Sequence, residues 1–188
     1  MVDRTKQIEI FLFINPISKA SLKMEEEVLK FVNAYEENTQ ITIYPYHNTQ
    51  TLYRYMKKND LSTEMAVWNK LYNESFHLSL AFIAATIQGK KKGREFLFAI
   101  QRKMIIQKRS LSKKLLIESA EQADLDMEMF LFDFHSPFVQ HLFDLDQDVS
   151  SAMGAKDTPT CLLVTTGEEK KATLIEKFFT AEDLYQLV

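Results

Sequence analysis

The chain has 188 residues, 46% hydrophobic and 26% charged, the balance of one or two folded domains rather than of a disordered chain. Its 23 basic and 26 acidic residues leave a net charge of −3, which provides no bulk attraction to nucleic acid. The four glycines (Gly89, Gly93, Gly154, Gly167) fit neither the spacing of a dinucleotide fingerprint nor that of a P-loop. A single cysteine, Cys161, excludes an intrachain disulfide framework and a cysteine zinc cluster.

In chain order, Gln7 to Ile14 is a short apolar run closed by Asn15-Pro16 and reads as a buried strand, central in a parallel sheet. It is too short to cross a membrane, and no other apolar run approaches a span, so the expectation is a soluble cytosolic chain. Ser18 to Glu37 has helical spacing, with Leu22, Val28, Leu29, Val32 and Tyr35 on one side. Gln40 to Tyr46 alternates and is β-branched, with Pro45 forcing an edge or a strand end. This β-α-β unit calls for a right-handed crossover and a parallel pair.

From about Ser62 to Gly154 only helical signals appear. Ser110 or Ser112 is positioned to cap a helix through Lys113, Leu116 and Ala120. Strand grammar resumes at Thr160 to Thr166. A turn at Gly167-Glu168-Glu169-Lys170 leads to Ala172 to Phe178 as an antiparallel partner, and Thr180 to Asp183 caps a last helix. The order predicts one α/β domain, residues 1–61 and 135–188, interrupted by a helical insertion at 62–134.

Two segments at opposite ends of the helical block carry a family resemblance. The stretch Phe13-Ile14-Asn15-Pro16-Ile17-Ser18-Lys19-Ala20-Ser21 resembles the F-I-N-P-x-C-x-x-C segment of cytosolic DsbA-like proteins of low-GC Gram-positive bacteria. Gly154-Ala155-Lys156-Asp157-Thr158-Pro159-Thr160 is similar to the loop of DsbA-like proteins whose proline is cis and borders the active site. The resemblance implies a thioredoxin-like fold with a large helical insertion. It also implies a branch that includes the ClpXP adaptor for the Spx transcription regulator.

The departure from the family lies at Ser18 and Ser21, where C-x-x-C is expected. Thiol-disulfide exchange needs a thiolate and a second, resolving sulfur, so redox activity is not expected and no residue is assigned as catalytic. Cys161, inside a strand and without a partner cysteine, does not replace them. Ser18 reads either as a plain helix cap, with Glu25 to Glu27 adding early negative charge, or as a hydroxyl that holds a bound thiolate or other anion. The second reading resembles the kappa-class glutathione transferases, although Lys19-Ala20 departs from their Pro-Tyr. Ser18, Lys19, Thr158 and Pro159 are therefore the expected ligand- or peptide-binding set.

The four histidines, His47, His77, His135 and His141, read as ordinary surface or helix-end residues, so no metal is expected. Asp144, Asp146 and Asp148 begin like a calcium loop, but Val149 and Ala155 stand where Gly and Glu are required. Residues 86–114 carry ten basic residues and one acid, a net charge of +9, and residues 115–157 carry ten acids and one lysine, a net charge of −9. These segments read as oppositely charged helix faces that partly pair, or as patches for a charged protein partner, with Lys90, Lys91, Lys92 and Arg94 as the binding residues. Phe130, Phe134 and Phe138 are four apart and could form one face packed on the sheet; any exposed part of the stretch would mark a partner or ligand groove.

The leading expectation is a non-redox, protein-binding relative of DsbA without a cofactor, in the role of an adaptor delivering a transcription regulator to an ATP-dependent protease. The alternatives are a glutathione-dependent transferase or isomerase using Ser18 and a diverged oxidoreductase without remaining activity. A membrane role is not expected.

Overall fold

The computed structural model describes residues 7–35, 38–167 and 169–188. Four strands form one sheet in the order β2-β1-β3-β4: β1 Gln7–Ile14, β2 Thr39–Pro45, β3 Thr160–Thr166 and β4 Lys170–Ile175. β1 is central, parallel to β2 and antiparallel to β3. The sheet is thus four-stranded and mixed, as the parallel β-α-β pair and the antiparallel hairpin together predict, although the apolar run by itself suggested a parallel setting. Ile8, Ile10, Leu12 and Ile14 enter the main core, while Phe13 and Phe11 on the other face meet Tyr44, Tyr46, Met153 and Ala155. A strand covered on both faces has little room for polar side chains, which is why β1 is nearly continuous in apolar residues. Pro45 closes the edge strand β2, where its missing N–H leaves no ladder bond broken.

Helix α1 (Lys19–Ala34) links β1 to β2. Its buried side holds Ser21, Leu22, Met24, Glu25, Val28 and Phe31, so Glu25, expected with Glu26 and Glu27 as early negative charge, belongs to the core. Glu37, the expected end of this helix, lies outside the described residues, as does Glu168 in the turn before β4.

Six α-helices separate β2 from β3: α2 Thr49–Lys58, α3 Met65–Ile87, α4 Lys90–Gln101, α5 Lys113–Gln122, α6 Met127–Phe134 and α7 Pro137–Ala152. A π-helical turn, Arg102–Ile106, extends α4. Polar caps start most of them: Asn48 with Thr51, Ser112, Asp126 and Ser136 each accept backbone N–H bonds. Of the two serines considered for α5, Ser112 is the cap. The short α8 (Ala181–Tyr185) begins with a Thr180–Asp183 capping box. Its first N–H, from Ala181, donates to Glu27 of α1 at 3.0 Å.

Two expectations are corrected. β4 runs from Lys170 to Ile175 rather than from Ala172 to Phe178. The Phe130 face is broken by Ser136-Pro137: Phe130 is buried against Phe96 of α4, at 5.3 Å between centroids, and stacks on Phe134. Phe138, on the next helix, is 57% exposed. Asp144, Asp146 and Asp148 sit within α7, a regular helix rather than a calcium-binding loop.

Candidate functional site

The end of β1 and the start of β3 bring the two family segments side by side. Phe13 pairs with Thr160, so Asn15–Ser18 leaves the sheet at the edge where Thr158–Pro159 enters it. From Asn15 to Ser21 the chain is a closed hydrogen-bonded knot. The Asn15 N–H donates to Ser21 Oγ at 3.1 Å, and Asn15 Oδ1 accepts from the Ile17 N–H at 3.2 Å and from Ser75 Oγ of α3 at 3.1 Å. Ser18 N–H donates to the Asn15 carbonyl at 2.9 Å, and Ser18 Oγ accepts from the Ser21 N–H at 3.4 Å. Asn15, Ser18 and Ser21 are all buried. Both serine oxygens therefore serve the backbone: Ser18 Oγ caps a free N–H of the helix start, and Ser21 Oγ takes the Asn15 N–H of the preceding loop.

Among the described residues, no His, Lys or carboxylate side chain is hydrogen-bonded to either hydroxyl. His47, the buried histidine, lies among the rings of Tyr72, Phe76 and Phe143, and burial pulls it down to about 4. Its Nε2 has no partner among the described residues. Cys161 is fully buried opposite Leu12 of β1 and Ile175 of β4, and burial pushes its thiol up to about 12. Such a thiol is almost entirely protonated near neutral pH, and the thiolate is the nucleophile.

The Thr158–Pro159 peptide bond is cis. Asp157 shapes the turn before it: its Oδ1 accepts from the Thr158 N–H at 2.8 Å and its carbonyl from Thr160 Oγ1 at 2.8 Å. Helix α2 holds this loop from outside. Lys58 reaches Asp157 Oδ2 at 2.7 Å, and Arg54 donates to the Lys156 carbonyl. Sequence reading missed α2 and these two residues. The available signal was Asn48 capping Thr51, followed by Leu52 and Met56 four apart and by Lys57-Lys58 at the C-terminal end.

The charged segments partly neutralise each other across α4 and α5. Lys92 lies 3.5 Å from Asp124, and Arg109 lies 2.7 Å from Glu118, which also meets Lys114 at 4.0 Å. Lys91 approaches Glu95 at 3.9 Å. Lys90 and Arg94 instead flank Ile41 and Ile43 of the edge strand in a shallow recess. The structure thus separates the tetrad Lys90, Lys91, Lys92 and Arg94 from the Ser18–Pro159 region. Among the described residues, no three His, Cys, Asp or Glu side chains are placed to hold a metal, and no helix is long and apolar enough to cross a membrane.

A parallel β-α-β, a helical block and a β-hairpin with a closing helix define a thioredoxin fold with an insertion, and the chain belongs to the thioredoxin family, whose model matches residues 11–186. It is similar to the ClpXP adapter protein SpxH of Bacillus subtilis, with 24% identity over 96% of this chain and 66% of that protein. It also resembles the protein of the same name from Shouchella clausii, with 25% identity over 88% of this chain and 60% of the relative. The chain thus spans about 60 to 66% of the length of these two relatives. Among solved structures it resembles a putative protein disulfide isomerase from Nitrosomonas europaea (TM-score 0.69, 13% identity, 96% and 95% coverage). Pseudomonas aeruginosa DsbA is similar over all of this chain and 82% of its own (TM-score 0.62, 12% identity). These structures establish the shared fold.

Proposed function

We propose that this protein is a non-redox, DsbA-like adaptor of the cytoplasm that binds a transcription regulator and delivers it to an ATP-dependent protease of the ClpXP type. The observation that carries this reading is the Asn15–Ser21 knot. A degenerate C-x-x-C segment has both positions buried as serines and both hydroxyls engaged with backbone N–H groups. A motif in that state keeps the architecture beside the proline loop but has no sulfur to exchange, which suits recognition without turnover. The names of the relatives from Bacillus and Shouchella support the choice of partner.

The test is a reconstituted degradation reaction containing the protease, the Spx-type regulator and this protein. Regulator breakdown should accelerate with added protein, while insulin reduction stays at the buffer rate. Unchanged degradation would overturn the adaptor reading. Glutathione binding at Ser18 would require its hydroxyl to turn away from the Ser21 N–H. A thermal-shift titration with reduced glutathione should therefore leave Tm unchanged, since only a ligand that binds the native state raises it.

A further inference from the structure

A second feature lies beside the knot, on the side facing the helical block. A cleft of about 380 Å³ opens between the start of α1, α2, α3 and the segment that follows α4. Its floor is apolar, with Ile17, Tyr55, Leu71, Met104 and Ile105. Its rim is cationic: Lys19, Lys70, Lys108 and Arg109 stand against one carboxylate, Glu74. Arg109 is held by Glu118, whereas Lys19, Lys70 and Lys108 are exposed and make no ion pair among the described residues.

The backbone that presents the far wall is irregular. The π-helical turn Arg102–Ile106 carries Met104 and Ile105. Lys108 then adopts a left-handed φ of 58°, while the Arg109 N–H donates to the Lys103 carbonyl at 3.1 Å. π-turns and left-handed non-glycine residues are costly locally and concentrate where a side chain must be re-aimed. Here they carry two wall residues and two cations to the same cleft.

The geometry points to this cleft as the seat of an acidic peptide segment bearing apolar side chains, which would be the docking segment of the cargo; it rests on the adaptor reading. Charge complementarity selects the occupant. Three unpaired ammonium groups on separate elements match carboxylates spread along a chain, and the floor takes the intervening apolar side chains. A compact phosphate ligand fits less well: there is no glycine-rich loop, and Ser18 Oγ already bonds an N–H at the start of α1.

A fluorescent peptide rich in Asp, Glu, Leu and Phe serves as the probe, with its Asn and Gln counterpart as control. The parent should bind the acidic peptide, with affinity falling as salt rises from about 50 to about 300 mM. Lys19→Glu, Lys70→Glu and Lys108→Glu together should weaken it at least about tenfold, while Lys90→Glu with Arg94→Glu leaves it unchanged. Amide shifts should centre on Ile17, Leu71, Met104 and Ile105. Equal binding by the cleft variant, shifts centred elsewhere, or displacement of the peptide by inorganic phosphate would each overturn the proposal. Regulator degradation that proceeds normally with a cleft variant that has lost the peptide would overturn the cleft as the cargo's seat. A parent that binds the peptide but never accelerates degradation would instead overturn the adaptor reading and leave the cleft as an acidic-peptide site.

Discussion

A Cβ added to Gly93 would lie 2.3 Å from Oγ1 and 2.9 Å from Cα of Thr86, closer than non-bonded atoms can approach. Gly93 therefore lets α4 press directly against the backbone of α3, and Thr86 is itself held by its hydroxyl bond to the Phe82 carbonyl at 2.8 Å. Gly93→Ala would gain helix propensity but overpack this contact, and overpacking typically costs about 1–3 kcal/mol. Net destabilisation is expected in urea unfolding, and equal or higher stability would show that α3 can yield. Glu25 sets a second residue-scale expectation. It is fully buried, and Gln101 Nε2 donates to its Oε1 at 3.0 Å, leaving Glu25 Oε2 and Gln101 Oε1 without a partner among the described residues. Burial raises Glu25 from its ordinary value of 4.5 to about 7, against the lowering effect of the Gln101 bond. The native state then holds a proton that the unfolded chain releases. That contribution is complete below about pH 4.5 and lost as pH rises to about 7, a swing of about 3 kcal/mol. Asp146, raised to about 7 by burial, acts in the same direction, while His47, lowered to about 4, acts oppositely. Both remain in Glu25→Gln, so denaturation at pH 5 and pH 8 should show a smaller pH-dependent loss in the variant than in the parent. Identical pH slopes would place the Glu25 proton elsewhere.

At the level of elements, the start of α1 holds Ser18 and Ser21 at the positions where the C-x-x-C resemblance calls for cysteines. An Ser18→Cys, Ser21→Cys double variant would place a sulfur where the Ser18 hydroxyl now accepts the Ser21 N–H. A helix N-terminus favours the thiolate. Measurable dithiol oxidation or insulin reduction should appear in the double variant and be absent from the parent. An inert double variant would mean that burial of Ser18 and Ser21 outweighs the helix terminus. Sequence reading located this cap, β1, β3 and the α8 box because each depends on neighbours within a few residues. It missed α2, whose Lys58 and Arg54 act across to Asp157 and Lys156. Glu25 is expected from the sequence only as part of the early negative charge on α1, because local spacing does not say which helix covers it. Only the packing of α4 against α1 reveals that Gln101 covers that carboxylate.

Across the whole molecule, the main core runs without a break from Ile8, Ile10 and Leu12 of the sheet through Val28 and Phe31 of α1 to Leu78, Phe82, Phe96 and Phe130 of the helical block. Residues 62–134 are expected to unfold together with the sheet, although they are inserted within it in sequence. Trp68, the single tryptophan, lies on α3, so its fluorescence reports the insertion while far-UV circular dichroism reports the whole chain. The two denaturation curves should coincide, as two-state unfolding requires. An earlier tryptophan transition would separate the insertion as its own cooperative unit.

The parallel β-α-β unit, the closing β-hairpin and last helix, the helical character of the block between them and the absence of sulfur at Ser18 and Ser21 follow from the amino-acid sequence. Local periodicity, capping and the family segments all act over short chain distances or as direct residue identities. The burial of Glu25, the neutralisation of Lys92 by Asp124 and the gathering of Lys19, Lys70 and Lys108 around one cleft were decided by the tertiary structure. Each depends on contacts between residues far apart in the chain, and neither composition nor spacing specifies which solvated face another helix will cover.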